Sequence, residues 1–359
     1  MAPSAIDSPD QIITPPIPVL KRCVSSGPLK RPNHWNYGVL TAPCSSLEPS
    51  DFRAELRDKG FCVIKGAILK DRANHYQQKA HDWLLSFGKG LKLDDPETWI
   101  ESNLPLTNKI RVYHGYCVAH EKFMWDARME PGVLDAFGRL WGTDELLVSF
   151  DCLNITLPNR PDLPARKAWE HIDQSPMKRG VHCVQGIINL SPNGPEDGGL
   201  VVYPGSHKLN DEFFDTHPDI ALLPNNKDVY LFSKEELTWF EDRGLRPHKV
   251  CADVGDLIMW DSRVIHYGSD PTPLGNTVRT AIYATYQPAR LASPEQLALK
   301  KNKFEHFGST THWPYEHITA GPTYALLPDG TRDPQDRDEP LEKPELTNKL
   351  LKLAGARPY

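Results

Sequence analysis

An imidazole and a carboxylate two residues apart, His171 and Asp173, and a histidine far downstream, His266, restrict this chain to folds that lay two remote segments side by side. On an extended strand, residues i and i+2 point the same way, so His171 and Asp173 can reach one metal ion together. His266 completes a set of two histidines and one carboxylate. Such a set leaves three positions of an octahedral ion open. A non-haem Fe(II) oxygenase needs that arrangement, because O2 and a co-substrate must both bind the metal.

The spacing alone carries little. With 14 histidines and 47 acidic residues in 359, one or two His-x-acid matches arise by chance, and a second one exists at His217-Pro218-Asp219. There the proline and the following Pro-Asn-Asn stretch read as a solvated loop. The match at 171 has a different setting. It precedes a β-prone run, Val181 to Leu190, then a Gly/Pro/Asn-rich turn from Ser191 to Gly199, then an apolar strand from Leu200 to Tyr203. Strand, turn and strand read as a hairpin. Downstream, Gly255-Asp256 turns into a buried strand ending at Asp261, and Ser262 to Gly268 brings His266 to a strand end. After a Pro/Gly loop, Asn276 to Tyr286 forms a strand with Arg279, Ala281, Tyr283 and Thr285 on one face. An arginine on an inner face calls for an anion. The far carboxylate of 2-oxoglutarate, taken by the guanidinium in a bidentate pair, supplies one. A local Asp or Glu at a sheet edge is the competing partner.

With these residues assembled, the chain resembles the phytanoyl-CoA dioxygenase superfamily of Fe(II)/2-oxoglutarate oxygenases, in the form met in fungal secondary metabolism. The matching residues are His171-Ile-Asp173, Gly198 to His207, Gly255-Asp256, His266 and Arg279, within a stretch from about Phe61 to Pro288. The resemblance implies a mainly β fold: a double-stranded β-helix (jelly roll, cupin-like) with helices packed outside the larger sheet. It implies His171, Asp173 and His266 as iron ligands and Arg279 as the 2-oxoglutarate anchor. Gln185, Asn189 and Thr277 are then expected beside the co-substrate. Halogenating relatives replace the ligand carboxylate with a small residue, so the retained Asp173 favours hydroxylation or a related oxidation.

Composition agrees with a soluble enzyme acting on a small molecule. The net charge is −6 with the charges interspersed, which favours neither nucleic acid nor a membrane surface as partner. Seven scattered cysteines without a Cys-x-x-Cys pair argue for reduced thiols. No apolar run is long enough to span a membrane and no secretory leader is visible, so cytoplasm is the expected compartment. Residues 1–45 read as a Pro-rich arm, 46–320 as the oxygenase domain with helical additions, and 321–359 as a tail packed on it. Expected helices lie near 51–59, 71–87, 120–129, 131–140 and 294–307, and an expected strand runs from Glu145 to Leu157. A homodimer is left open.

Candidate substrate contacts are Arg111, Tyr113, Asn154, Trp169, Lys178 and Tyr283, each equally readable as a surface or packing residue. The reaction expected is oxidation of an unactivated C–H bond in a small metabolite, amino acid or natural-product intermediate, by hydroxylation, desaturation or ring closure, with release of succinate and CO2. Acyl-CoA ranks lower, because no basic cluster suits its phosphoadenosine. Three rivals stand: a cupin metalloenzyme without 2-oxoglutarate, which needs no Arg279; a silent or regulatory oxygenase-like subunit; and a zinc hydrolase, which lacks a visible catalytic base.

Overall fold

The computed structural model describes residues 51–218, 220 and 228–359. The Pro-rich arm, and with it Asp219 and most of the loop after His217, lies outside the described residues. Twelve strands are present among the described residues: β1 (Phe61–Ile64), β2 (Leu146–Val148), β3 (Leu153–Thr156), β4 (His171–Ile172), β5 (Val184–Asn189), β6 (Gly199–Val202), β7 (Tyr230–Leu231), β8 (His248–Lys249), β9 (Leu257–Asp261), β10 (His266–Ser269), β11 (Arg279–Tyr283) and β12 (Tyr286–Pro288). The helices are α1 (Phe52–Lys59), α2 (Lys70–Leu85), α3 (Lys122–Arg128), α4 (Pro131–Trp141), α5 (Ser206–Thr216), α6 (Lys234–Glu241), α7 (Pro294–Glu305) and α8 (Asn348–Leu353). None of these helices is long and apolar enough to cross a membrane.

Two antiparallel five-stranded sheets face each other, in the orders β1-β9-β5-β11-β3 and β7-β4-β10-β6-β8. The chain passes back and forth between them: β3, β5, β9 and β11 lie in one sheet, β4, β6 and β10 in the other. This is a double-stranded β-helix. Its consequence for the site is direct, because β4 and β10 become neighbours at the centre of the second sheet and His171 pairs with His266 across the ladder.

Period-two alternation explains which side chains face where. Along β9, Ile258 and Trp260 enter the space between the sheets, where they meet Ile187, Leu200, Val202, Val250 and Ala281. The alternate residues Leu257 and Met259 turn outward, with Val184, Ile188, Leu153, Ile155 and Ile282, into a much larger cluster. That cluster includes Tyr76 and Trp83 of α2, Trp125 of α3 and Phe137 of α4. Each such large apolar side chain, fully buried, contributes about 1.5–3 kcal/mol, so the outer layer rather than the lumen dominates hydrophobic stability. A third cluster, with Ile172, Tyr203, Phe213 and Phe240, places α5 and α6 over the outside of the second sheet. Helices therefore cover both sheets, which have five strands each, rather than one larger sheet.

The helix expectations hold closely. α1 is capped by Asp51, whose side chain accepts from Arg53 N at 2.9 Å, and it ends at Gly60. α7 begins with a capping box from Ser293 and Gln296. Two strand expectations need correction. The run Glu145–Leu157 splits: β2 pairs with β12, while β3 pairs with β11. Between them Ser149 N donates to Thr285 O and Phe150 N to the Thr310 hydroxyl, so the chain changes partners there. The expected hairpin is no hairpin either, since β5 and β6 lie in opposite sheets. The turn from 190 to 198 carries the chain across the barrel, and an alternating pattern reads the same for both routes.

Gly186 lets α4 sit close to this sheet. A Cβ there would stand 2.6 Å from Ala284 O and 3.0 Å from the Phe137 ring. Gly186→Ala should therefore lower the unfolding free energy by about 1–3 kcal/mol in denaturant titration, the usual cost of overpacking. An unchanged midpoint would mean that the sheet and α4 are not held at this spacing.

Candidate functional site

His171, at the start of β4, and His266, at the start of β10, are both about 4% exposed. Each ring is fixed by its own strand: His171 Nδ1 lies 3.0 Å from Trp169 O, and His266 Nδ1 lies 2.9 Å from Val264 O. A carbonyl only accepts, so Nδ1 carries the proton in both rings and each Nε2 presents a lone pair. Those lone pairs aim at Asp173, at 3.5 Å from Oδ1 for His171 and 3.3 Å from Oδ2 for His266. Burial, and then the neighbouring His266, push the His171 imidazolium down to about 4, so this ring is neutral at ordinary pH. Three electron-pair donors thus converge, all within 4.8 Å of one another. Without a cation between them they repel, and the donor set fits a divalent metal held by two imidazoles and one carboxylate.

A surrounding layer steadies these groups. Gln185 Nε2 donates to Asp173 Oδ2 at 2.9 Å and to the Ser262 hydroxyl at 3.2 Å, and Asp173 N donates to Ser262 O at 2.9 Å. Trp169 stacks on His171 at 4.1 Å between centroids with the planes 8° apart. Trp260 meets His266 edge-on at 5.7 Å. His312, on the segment after α7, is near enough to bear on the charge of both His171 and Asp173, and its Nε2 is buried without a hydrogen-bond partner.

Arg279 opens β11 on the inner face and is 3% exposed. Its Nη1 donates to Asn154 Oδ1 at 2.5 Å, while its Nε is buried with no partner. Tyr283 lies two positions further along the same face. Burial raises its phenol, and the adjacent Arg279 works against that rise.

Not every expected residue joins this group. Asn189 spends its amide N–H groups on Ser191 O and Asp253 O, bracing the turns at the far end of β5. Thr277 is half-buried in the loop before β11. Arg111 pairs with Asp270 and donates to Pro164 O. With Tyr113, Thr156 and Asp270 it lines a cavity of about 250 Å³. Lys178 sits between Asp228 at 3.2 Å and Glu316 at 2.5 Å, with its ammonium 3.9 Å above the Trp313 ring. Its charge is thus already matched. It also fills the acidic group Asp228–Glu316–His317, which would otherwise pass as a cation site. In a third group, His114–Asp151–Cys152, burial keeps the Cys152 thiol well above its ordinary pKa and hence protonated.

The phytanoyl-CoA dioxygenase (PhyH) family model matches residues 56–272. The chain belongs to this family. Ava biosynthesis cluster protein O of Aspergillus versicolor is 40% identical over 273 residues, covering 75% of this chain and 87% of that protein. Among solved structures, apo EctD from S. alaskensis is 18% identical with a TM-score of 0.46, covering 75% of this chain and 86% of its own. The non-heme alpha ketoglutarate dependent carbocyclase SnoK from nogalamycin biosynthesis is 16% identical with a TM-score of 0.44, covering 68% and 86%. As a PhyH-family protein the chain is an Fe(II)/2-oxoglutarate oxygenase, an oxidoreductase.

Sequence reasoning passed over Ser262 and His312. Ser262 follows the strand-ending Asp261 and carries no motif. His312 lies in the Thr310-Thr-His-Trp-Pro314 segment, whose aromatic and proline content signals a packed cover without saying what it covers.

Replacing Gln185 by Leu removes the donor on Asp173 at nearly constant volume. Affinity for a divalent metal, read by competition with a chelator, should fall about 10- to 100-fold, as when such supporting contacts are lost elsewhere. Undiminished affinity would show that Asp173 holds its pose without Gln185.

Proposed function

We propose that His171, Asp173 and His266 bind Fe(II), that Arg279 binds the far carboxylate of 2-oxoglutarate, and that the enzyme oxidises a C–H bond of a natural-product intermediate. The observation that carries this reading is the convergence of two Nε2 lone pairs, each ring's Nδ1 being committed to a backbone carbonyl, with a carboxylate held by Gln185. Held there, iron and 2-oxoglutarate would supply the oxidising power for O2 chemistry, with succinate and CO2 as the by-products.

The protein's own part is positional. The carbonyls of Trp169 and Val264 hold both imidazoles in the tautomer that offers Nε2 to the metal. Gln185 keeps the Asp173 carboxylate turned toward them. Asn154 steers the Arg279 guanidinium. Ile187, Val202, Trp260, Val264 and Ala281 line an apolar lumen, which excludes water and strengthens the contact of Arg279 with an anion. Trp169 and His312 stand beside the triad, where a substrate would arrive. The relative from an Aspergillus biosynthesis cluster supports a secondary metabolite as substrate. A differently posed substrate would give a double bond or a ring in place of an alcohol.

Anaerobic addition of Fe(II) and then 2-oxoglutarate to metal-free protein should produce the visible charge-transfer band of the chelate. Arg279→Ala should raise the 2-oxoglutarate concentration needed by at least about 10-fold, in line with the loss of a buried charge-assisted pair, and His266→Ala should abolish the band. Stoichiometric iron binding with no band in the wild type would overturn the co-substrate assignment.

A further inference from the structure

The end of the barrel around Arg279 holds a second cation. Lys249 ends β8, where it pairs with Val201 of β6, and its ammonium reaches the start of β6 at Gly199. Gly199 has φ +143° and no side chain. A Cβ there would stand 2.9 Å from Lys249 Nζ, 2.9 Å from Asn193 Nδ2 and 3.2 Å from Arg279 Nε. The ammonium and the guanidinium nitrogen are therefore no more than about 6 Å apart in a largely dry interior, where like charges repel strongly. Burial, and then this guanidinium, hold the Lys249 ammonium down to about 8.

Neither cation has a carboxylate partner among the described residues. Lys249 donates to neutral oxygens only: Asn193 Oδ1 at 2.7 Å, Val250 O at 3.3 Å and Gly198 O at 3.4 Å. Arg279 donates to Asn154, and its Nε has no partner at all. Several cations nearby have carboxylate partners: Arg111 and Arg166 pair with Asp270, Lys178 with Asp228 and Glu316, Arg263 with Asp261. The buried Arg128 and Lys300, on the outer side, instead rest on backbone carbonyls. A buried guanidinium beside a half-buried ammonium, neither with a carboxylate partner among the described residues, favours an anion between them. The bond from Lys249 to Asn193 aims the ammonium, since the Asn193 amide is itself tied to Gly198 O at 2.6 Å.

We infer that Lys249 is a second anchor for the far carboxylate of the co-substrate, so that a lysine–arginine pair, one cation to each carboxylate oxygen, selects a 2-oxo dicarboxylic acid. The inference rests on the co-substrate reading above. Lys249 acts as a positioning residue, remote from the metal, and sets affinity for the tail of the oxo acid rather than for its chelating head.

The test titrates Fe(II)-loaded protein anaerobically with 2-oxoglutarate and with 2-oxobutyrate, which has the same head and no far carboxylate. Wild type, Lys249→Met and Lys249→Arg are compared through the charge-transfer band. Lys249→Met should weaken 2-oxoglutarate about tenfold or more, the loss of one charge-assisted contact, and leave the weak 2-oxobutyrate binding unchanged. Lys249→Arg should restore most of the affinity. Raising the pH through about 8 should weaken 2-oxoglutarate binding in the wild type as the ammonium loses its proton. Of the other groups that bear on Lys249, Arg279 disfavours the ammonium, while Cys251 and Asp197 favour it. Equal 2-oxoglutarate affinity in wild type and Lys249→Met, or an equal loss for both oxo acids, overturns the role of Lys249 alone. No band in the wild type overturns the co-substrate reading itself.

Discussion

Much of the site depends on one backbone pairing, His171 opposite His266 in the β4–β10 ladder. Because the two histidine-bearing strands are adjacent and antiparallel, two imidazoles from distant parts of the chain stand 4.2 Å apart at their centroids. The two-residue step to Asp173 then puts a carboxylate on the same side. The remaining strands can be seen as keeping that ladder in place: β6 holds β10 from the other side, and the opposite sheet contributes Gln185 and Arg279 from across the lumen.

A good deal of this could be read from the residues. The i, i+2 pair needed only an extended backbone to become meaningful, and an inward-facing Arg279 followed from strict alternation along 279–285. Helix limits were legible because capping and helix-ending residues are local signals, as at Asp51, Gly60 and Ser293. Failures came where the outcome depended on partners rather than on pattern. The alternation around Gly199 does not say whether a strand folds back beside its predecessor or crosses to the opposite sheet. The segment 145–157 is uniformly strand-like and changes partners in its middle. Lys249 sits on a two-residue strand, too short for alternation to register, and its neighbours Asn193 and Arg279 are remote in sequence. Arg111 carries the right charge, but its place is set by Asp270 and not by anything beside it in the chain.

The electrostatics of the lumen follow a consistent division. At the His171–Asp173–His266 end, two imidazoles meet a carboxylate, an arrangement that suits a positive charge. At the Arg279 end, cations meet only neutral acceptors and the unmet need is for negative charge. A molecule with a chelating head and an anionic tail would answer both at once.

Burying most of the apolar mass outside the barrel, between the sheet and α2, α3 and α4, has an evolutionary consequence. Inward-facing residues contribute a modest share of the cohesion, so drift can reshape the lumen without unfolding the protein. The shell acts as a chassis and the interior as exchangeable fittings. A scaffold partitioned in this way is free to diversify its chemistry faster than its architecture.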